Sequence, residues 1–330
     1  MIYCKNIHRI LSYILQVENL KKYFIKKSVF SSKTSTVHAV DNVSFEVKKG
    51  EVFVLAGESG SGKTTIAKLI LKSIQPDNGK IIFQSREITD EQKSINEIRM
   101  QCQMIHQDPY DSINPRMKIL DIIAEPLEIH NFGTKKEIEV RVLQVLKEVR
   151  LEPAENIVNK YPHMLSGGQR QRVVLARALA LKPKILIADE PVSMLDVSIR
   201  AEMLELMEEL KKKYEITFIY ITHDLATAKY FGDTIAILYL GQIVEEGPIK
   251  EVLLNPKHPY TQALIDAISE PNPENLHKDK KIRIKERDEK IEPYKGCRFR
   301  SRCPYAIEKC KDEPKLESKL GRKVACFVEI

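Results

Sequence analysis

From Val37 the chain reads VHAVDNVSFEVKKGEVFVLAG: apolar and polar residues alternate as far as Lys49-Gly50, then give way to a short β-branched run. Alternation with period two marks a strand with one buried face, and an unbroken apolar run marks a strand buried on both faces. The segment predicts a hairpin followed by a buried strand over Val52–Ala56. Thr64–Ser73 then carries apolar residues at helical spacing. Residues 89–161 are rich in helix formers, as in KKEIEVRVLQVLKEVRL, and predict a helical region. KILIADE and ITFIYITHD predict two more buried strands. Strands alternating with helical patterns indicate an α/β core with a mainly parallel sheet. Past about Ala267 the stretch SEPNPENLHKDKKIRIKERDEKIEPYKG is highly charged and punctuated by proline, which predicts a linker. No repeat of fixed period is present.

Composition narrows the class. Of the 330 residues 43% are apolar, ample for a sizeable core, and 30% are charged. The formal charge of +7, from 53 basic against 46 acidic residues, is spread along the chain and by itself describes a solvated surface. No window approaches the run of about 18 apolar residues that a membrane-spanning helix requires. The opening stretch MIYCKNIHRILSYILQVENL is interrupted by Lys5, His8, Arg9 and Gln16 and has no small-residue cleavage site, so it reads as neither signal peptide nor anchor. Cytosolic residence is the expectation, and stable disulfides are disfavoured there.

Three motifs carry chemistry. GESGSGKTT, comprising Gly57, Glu58, Ser59, Gly60, Ser61, Gly62, Lys63, Thr64 and Thr65, follows a predicted strand and opens a predicted helix. Glycines in such a loop let backbone N–H groups converge on phosphate oxygens, and the helix N-terminus adds its positive end. Lys63 is placed to reach the β- and γ-phosphates of a nucleotide, and the Thr64 hydroxyl to hold Mg²⁺. ILIADE ends a strand with Asp189, suited to the shell of Mg²⁺, and Glu190, suited to polarising an attacking water. LSGGQRQR brings Ser166, Gly167, Gly168 and Gln169 to the start of another helical run, which makes a second anion cradle. One monomer rarely needs two γ-phosphate cradles, so the second is expected to serve a nucleotide held by another subunit.

Together with Gln107, SMLD (Ser193–Asp196) and His223, these motifs stand in the order found in ABC-type ATPases, and the chain resembles that family from about Leu15 to its C-terminus. The resemblance implies an ABC-type P-loop α/β domain with an antiparallel β subdomain and a helical subdomain at about 90–163. It also implies two subunits that sandwich ATP head to tail. Carried onto this chain, it makes Glu190 the general base, Gln107 the residue that senses Mg²⁺ and couples to the transmembrane partner, and Asp196 a residue crossing the dimer interface. His223 contacts the γ-phosphate, and Phe24, with Tyr23 as second choice, stacks on adenine.

HQDPYDSINPRM, AEPLEIH, YPHMLSGGQRQR and HPYTQALIDAI further resemble the ATP-binding subunits of dipeptide and oligopeptide importers, most of all the F-type partner of the paired D and F subunits. Met194, Thr222 and His106 depart from the residues usual in that family, and none of these changes removes a catalytic group. The implied organisation is an ATP-binding domain over 1–266 and a small cysteine-rich extension over 267–330. The implied partners are a D-type ATP-binding subunit, two permease subunits and, indirectly, an extracytoplasmic substrate-binding protein, with the chain peripheral on the cytoplasmic face of the membrane and no nucleic acid. Nickel and oligosaccharide importers share these motifs. A soluble ABC ATPase acting on nucleic acid is the contrasting class, and it usually shows paired ATPase domains or a long coiled-coil insertion, neither of which is present.

Four of the 6 cysteines, Cys297, Cys303, Cys310 and Cys326, fall at the spacing C-x₅-C-x₆-C-x₁₅-C. Four thiolates suit tetrahedral zinc or an iron–sulfur cluster. The family segment GCxFxxRCPxA implies a [4Fe–4S] cluster, with zinc as the alternative.

Overall fold

The computed structural model describes residues 13–27, 34–108, 112–267, 294–319 and 321–329. Most of the expected linker, and most of the opening stretch, lie outside them. β1 (Tyr13–Lys27) and β2 (Thr34–Lys48) are long neighbouring strands. The alternation that ends at Lys48 belongs to β2 alone, so the expected hairpin there is not formed. Asn42 takes up left-handed backbone at φ 58 within the strand without reversing it. The chain turns at Lys49-Gly50 as the pattern predicts, with Gly50 at φ 77, and the β-branched run forms the fully buried β3 (Val52–Ala56). In chain order there follow β4 (Asn78–Phe83), β5 (Arg86–Glu87), β6 (Cys102–Ile105), β7 (Ile185–Asp189), β8 (Thr217–Thr222), β9 (Thr234–Tyr239), β10 (Gln242–Pro248), β11 (Glu317–Lys319) and β12 (Arg322–Val324).

Two compact units, each discontinuous in sequence, make up the chain. The first comprises Met1–Ile14, Lys48–Val52 and Ile88–Ile221. Its β6, β7 and β8 are parallel neighbours, with Met104 opposite Ile187 and Ile187 opposite Ile219. β7 and β8 are buried along their whole length, as parallel strands covered on both faces must be. β6 falls inside the stretch expected to be helical. It is four residues long and follows the helix Gln92–Gln101 without a break, so CQMI is too short to show a period of its own.

Helices Ile119–Ile129, Lys135–Glu148 and Gly167–Ala180 pack on one another. Thr134 and Glu137 form a capping box at the start of Lys135–Glu148. The buried Arg141 donates from Nε to Ala180 O at 3.0 Å and from Nη2 to Leu179 O at 2.8 Å, so its charge meets the negative end of Gly167–Ala180. Glu148 neutralises that buried guanidinium at 3.1 Å.

The second unit comprises Leu15–Val47, Phe53–Glu87 and Thr222–Ile330. It holds the four-stranded sheet in the order β2-β1-β4-β5, and β4 runs antiparallel to both its neighbours. It also holds the run β11-β12-β10-β9-β3, in which β3 and β9 are parallel and the remaining pairs antiparallel. Phe45 and Phe53 stack at 4.9 Å between centroids and both are buried. The helix Lys63–Ile70 stops short of the Ser73 predicted from spacing, because Lys72 turns left-handed at φ 51 and Ser73 N–H bonds back to Lys68 O at 2.9 Å.

Candidate functional site

Between the last residue of β3 and the first of Lys63–Ile70, residues 57–62 must turn the chain within one short loop. Two glycines make the turn possible. A Cβ on Gly57 (φ +151) would stand 2.2 Å from Leu238 O, and one on Gly62 (φ +108) 2.1 Å from Ala39 O. No L side chain fits either position. Lys63 is 6% exposed, and its Nζ donates to Gly57 O at 2.8 Å, Glu58 O at 2.9 Å and Ser61 Oγ at 3.3 Å. A fixed ammonium, loop N–H groups and the positive end of a helix meet in one place, which is the chemistry of a polyphosphate cradle. Ser59, Gly60 and Thr64 are exposed, and Thr65 is half-buried.

Glu58 is held twice. Its N–H donates to Tyr260 Oη at 2.9 Å, and its carboxylate accepts a fork from Arg302 at 3.1 and 3.3 Å. Tyr260 stands in HPYTQALIDAI and Arg302 is the arginine of GCxFxxRCPxA, and neither residue is given a role by the sequence reading of those stretches.

In the same unit the two aromatics of NLKKYF have different surroundings. Tyr23 donates to Asp41 Oδ1 at 2.6 Å and stacks on His38 at 4.2 Å; burial, then the bond to Asp41, push its pKa up to about 12. Phe24 is 41% exposed, with Lys22 Nζ 5.8 Å from its ring centre. His223 follows the end of β8 and is exposed, and Asp224 after it caps Leu225–Phe231 by accepting from Ala226 N–H at 2.9 Å.

The first unit carries the second set of predicted residues. Asp189, 6% exposed, ends β7. Glu190 takes left-handed backbone at φ 49, its N–H bonded to Ile221 O at 2.9 Å, and Gln107 Nε2 donates to its Oε2 at 2.9 Å. Asp196 is the exposed N-cap residue of Val197–Tyr214. Ser166 caps Gly167–Ala180 in a reciprocal box with Gln169: Gln169 N–H donates to Ser166 Oγ at 3.3 Å and Ser166 N–H to Gln169 Oε1 at 3.1 Å. Ser166, Gly167 and Gln169 are exposed, whereas Gly168 is buried and a Cβ on it would meet Ile199 at 2.7 Å. Met164, Met194 and Val197 are 56%, 64% and 80% exposed.

The Thr64 hydroxyl in the second unit and the Asp189 carboxylate and Gln107 amide in the first are each hard oxygen donors of the type Mg²⁺ takes, so the chemistry of each residue fits that cation.

The expected metal centre at the cysteines is corrected. Cys297, Cys303, Cys310 and Cys326 are in no disulfide, and among the described residues no group of three or more His, Cys, Asp or Glu side chains could hold a metal ion. Burial, with smaller contributions from the other three thiols, pushes Cys297 up to about 12, and burial also raises Cys326. The segment packs on the rest of its unit. β12 pairs with β10, and Phe299, 1% exposed, packs against Tyr239, Tyr260 and His258.

Comparison with known proteins adds the relationship. A family model described as ABC transporter matches residues 40–193, and one described as oligopeptide/dipeptide transporter, C-terminal region, matches residues 244–310. The chain is 41% identical over 304 residues to the oligopeptide transport ATP-binding protein AppF of Bacillus subtilis, covering 91% of this chain and 92% of AppF. It is 38% identical over 318 residues to the dipeptide transport ATP-binding protein DppF of Haemophilus influenzae, covering 95% and 96%. None of these descriptions names a metal cluster.

Among solved structures it is similar to cbiO1 of Clostridium perfringens, part of the ABC transporter complex cbiONQ, with TM-score 0.64, 30% identity and coverage of 74% and 92%. A dimeric ATP-binding cassette in a post-hydrolysis state, bound to ADP and Pi, matches with TM-score 0.63, 30% identity and coverage of 71% and 98%. With its phosphate loop, its helix-capping LSGGQ and these relatives along nearly its whole length, the chain belongs to the ATP-binding subunits of ABC transporters, in the oligopeptide and dipeptide branch.

Proposed function

We infer that this chain hydrolyses ATP to drive import of oligopeptides or dipeptides through membrane permease subunits, working as one of a pair of ATP-binding cassettes on the cytoplasmic face. The observation that carries the reading is Lys63, its ammonium buried and fixed inside the glycine loop at the start of a helix. No helix among the described residues is long and apolar enough to cross a membrane, and a chain of this kind needs separate membrane subunits. The relatives' names speak for peptides over nickel or oligosaccharides, and for transport over nucleic-acid work. AppF and DppF share the F designation, which favours an F-type subunit with a D-type partner and an extracytoplasmic peptide-binding protein upstream.

Each residue has a role in this reading. Gly57–Thr65 wraps the phosphates, with Lys63 on the β- and γ-oxygens, and Phe24 offers its open ring to adenine. When bound with ATP, Mg²⁺ offsets the charge that builds on the transferring phosphoryl group. Thr64, Asp189 and Gln107 would hold it. Glu190 takes the proton of the attacking water, Gln107 orients that carboxylate, and His223 donates to the γ-phosphate. Ser166, Gly167, Gly168 and Gln169, with Asp196, face a nucleotide held by the partner cassette. The exposed Met164, Met194 and Val197 beside them supply apolar area for that interface.

The test is ATP hydrolysis in vesicles carrying the permease subunits and both cassettes. Peptide-loaded binding protein should stimulate turnover, and Lys63→Ala should abolish it. Stimulation by nickel or an oligosaccharide instead of peptide would overturn the cargo assignment.

A further inference from the structure

Residues far away in sequence surround the phosphate loop. Arg298 and Arg302, both in GCRFRSRCP, reach it by separate routes. Arg302 forks onto the Glu58 carboxylate at 3.1 and 3.3 Å and donates to Tyr239 Oη at 3.3 Å. Its guanidinium lies 5.9 Å from the Tyr239 ring centre and 5.7 Å from that of Phe299. Arg298 donates to Leu240 O and to Asp41 Oδ2. Leu240 begins the turn between β9 and β10, and Gly241, next in that turn, donates its N–H to Ser61 O at 2.9 Å. Tyr260 Oη holds the Glu58 N–H.

Two physical consequences favour nucleotide binding. A glycine-rich loop pays conformational entropy when it closes on phosphate, and a loop already held from outside pays less. Glu58 is also a carboxylate within the phosphate loop itself, with its side chain 45% exposed. Left uncompensated, its charge repels the polyphosphate that the loop must attract. The Arg302 fork neutralises it and fixes it in place.

We propose that Arg302 is a positioning residue for ATP: it pairs with Glu58 and so sets the affinity of the phosphate loop without touching the nucleotide. The proposal rests on the ATP-binding reading above. Its distinctive consequence is a rescue. If Arg302 acts by cancelling the Glu58 charge, removing both charges restores what removing Arg302 alone destroys.

The experiment titrates the full chain with ATP and measures steady-state hydrolysis for wild type, Arg302→Ala, Glu58→Gln, the double variant and Lys63→Ala, with thermal melts as a check of folding. Arg302→Ala should weaken ATP binding and raise KM about three- to fivefold, the upper part of the range for a partly exposed ion pair, with kcat unchanged. Adding Glu58→Gln should return affinity to within about twofold of wild type. If Arg302→Ala does not fold, Arg302→Gln replaces it with the same expectations. Wild-type affinity in the arginine variant, or a double variant as weak as the single, overturns the proposal. A wild-type chain that binds no ATP overturns the nucleotide reading instead.

Discussion

Gln107 donates from Nε2 to Oε2 of Glu190 at 2.9 Å, tying the residue two past the end of β6 to the residue immediately after β7. The parallel pairing of β6 with β7 brings the two strand ends together, and the left-handed backbone at Glu190 turns its side chain out of the strand. The bond fixes the carboxylate in place.

Glu190→Gln keeps the shape of that pair and removes the basic oxygen. Hydrolysis should slow by about 10²–10⁴ while ATP binding persists and an ATP-bound dimer accumulates. Wild-type turnover in this variant would take Glu190 out of the mechanism.

Gly62→Ala should fail for reasons of geometry, before any chemistry. Its Cβ would stand 2.1 Å from Ala39 O on a backbone at φ +108. The expected cost exceeds about 1 kcal/mol in unfolding experiments, with loss of ATP binding. Unchanged stability and unchanged affinity would show that the loop relaxes freely, against the close contact described here.

Ser166 separates two effects. Ser166→Ala removes a helix cap and should destabilise the protein by about 1 kcal/mol. Ser166→Arg should abolish cooperative hydrolysis in the assembled pair yet spare ATP binding by the isolated chain. If the isolated arginine variant loses affinity as severely as Lys63→Ala, the idea of a site completed by a partner is wrong.

His258 supplies a pH dependence. It is fully buried, accepts at Nδ1 from Tyr260 N–H at 3.0 Å, and burial depresses its pKa from 6.5 to about 3. Between those values the unfolded chain binds a proton that the folded chain refuses. The contribution to stability is therefore complete above about pH 6.5 and falls toward pH 3, by up to about 1.4 kcal/mol per unit. Urea melts at about pH 7.5 and about pH 5 should show a smaller difference for His258→Gln, which keeps an acceptor and carries no titrating proton. Equal differences in the two proteins would place the acid sensitivity elsewhere.

What could be read from the sequence followed what is local. β3, β7 and β8 are short apolar runs whose burial needs no knowledge of their partners, and the phosphate loop is defined by glycines at fixed offsets. β6 could not be read, because four residues joined directly to a helix show no periodicity. The contacts on Glu58 from Tyr260 and Arg302 span 202 and 244 residues, separations at which no local pattern exists. The cysteines misled for a related reason. Their spacing invited a ligand set, while the packing of Phe299 and the pairing of β12 with β10, both long-range, are what hold the segment to its unit.

Glu245 lies fully buried in β10, where its carboxylate accepts N–H bonds from Lys257 at 3.0 Å and His258 at 2.9 Å and lies 3.4 Å from Arg322. The guanidinium is made 77 residues after the carboxylate it neutralises. While the chain emerges from the ribosome, Glu245 has no buried cation to meet, and closing β10 around it would strand a charge in the interior. A chain ending before Arg322 would lack that guanidinium partner if β10 packed as it does here. It would also lose the Arg322 bonds to Glu251 O and Asn255 O, so the last residues of the chain help to hold β10 and the helix after it, far from the phosphate loop in sequence.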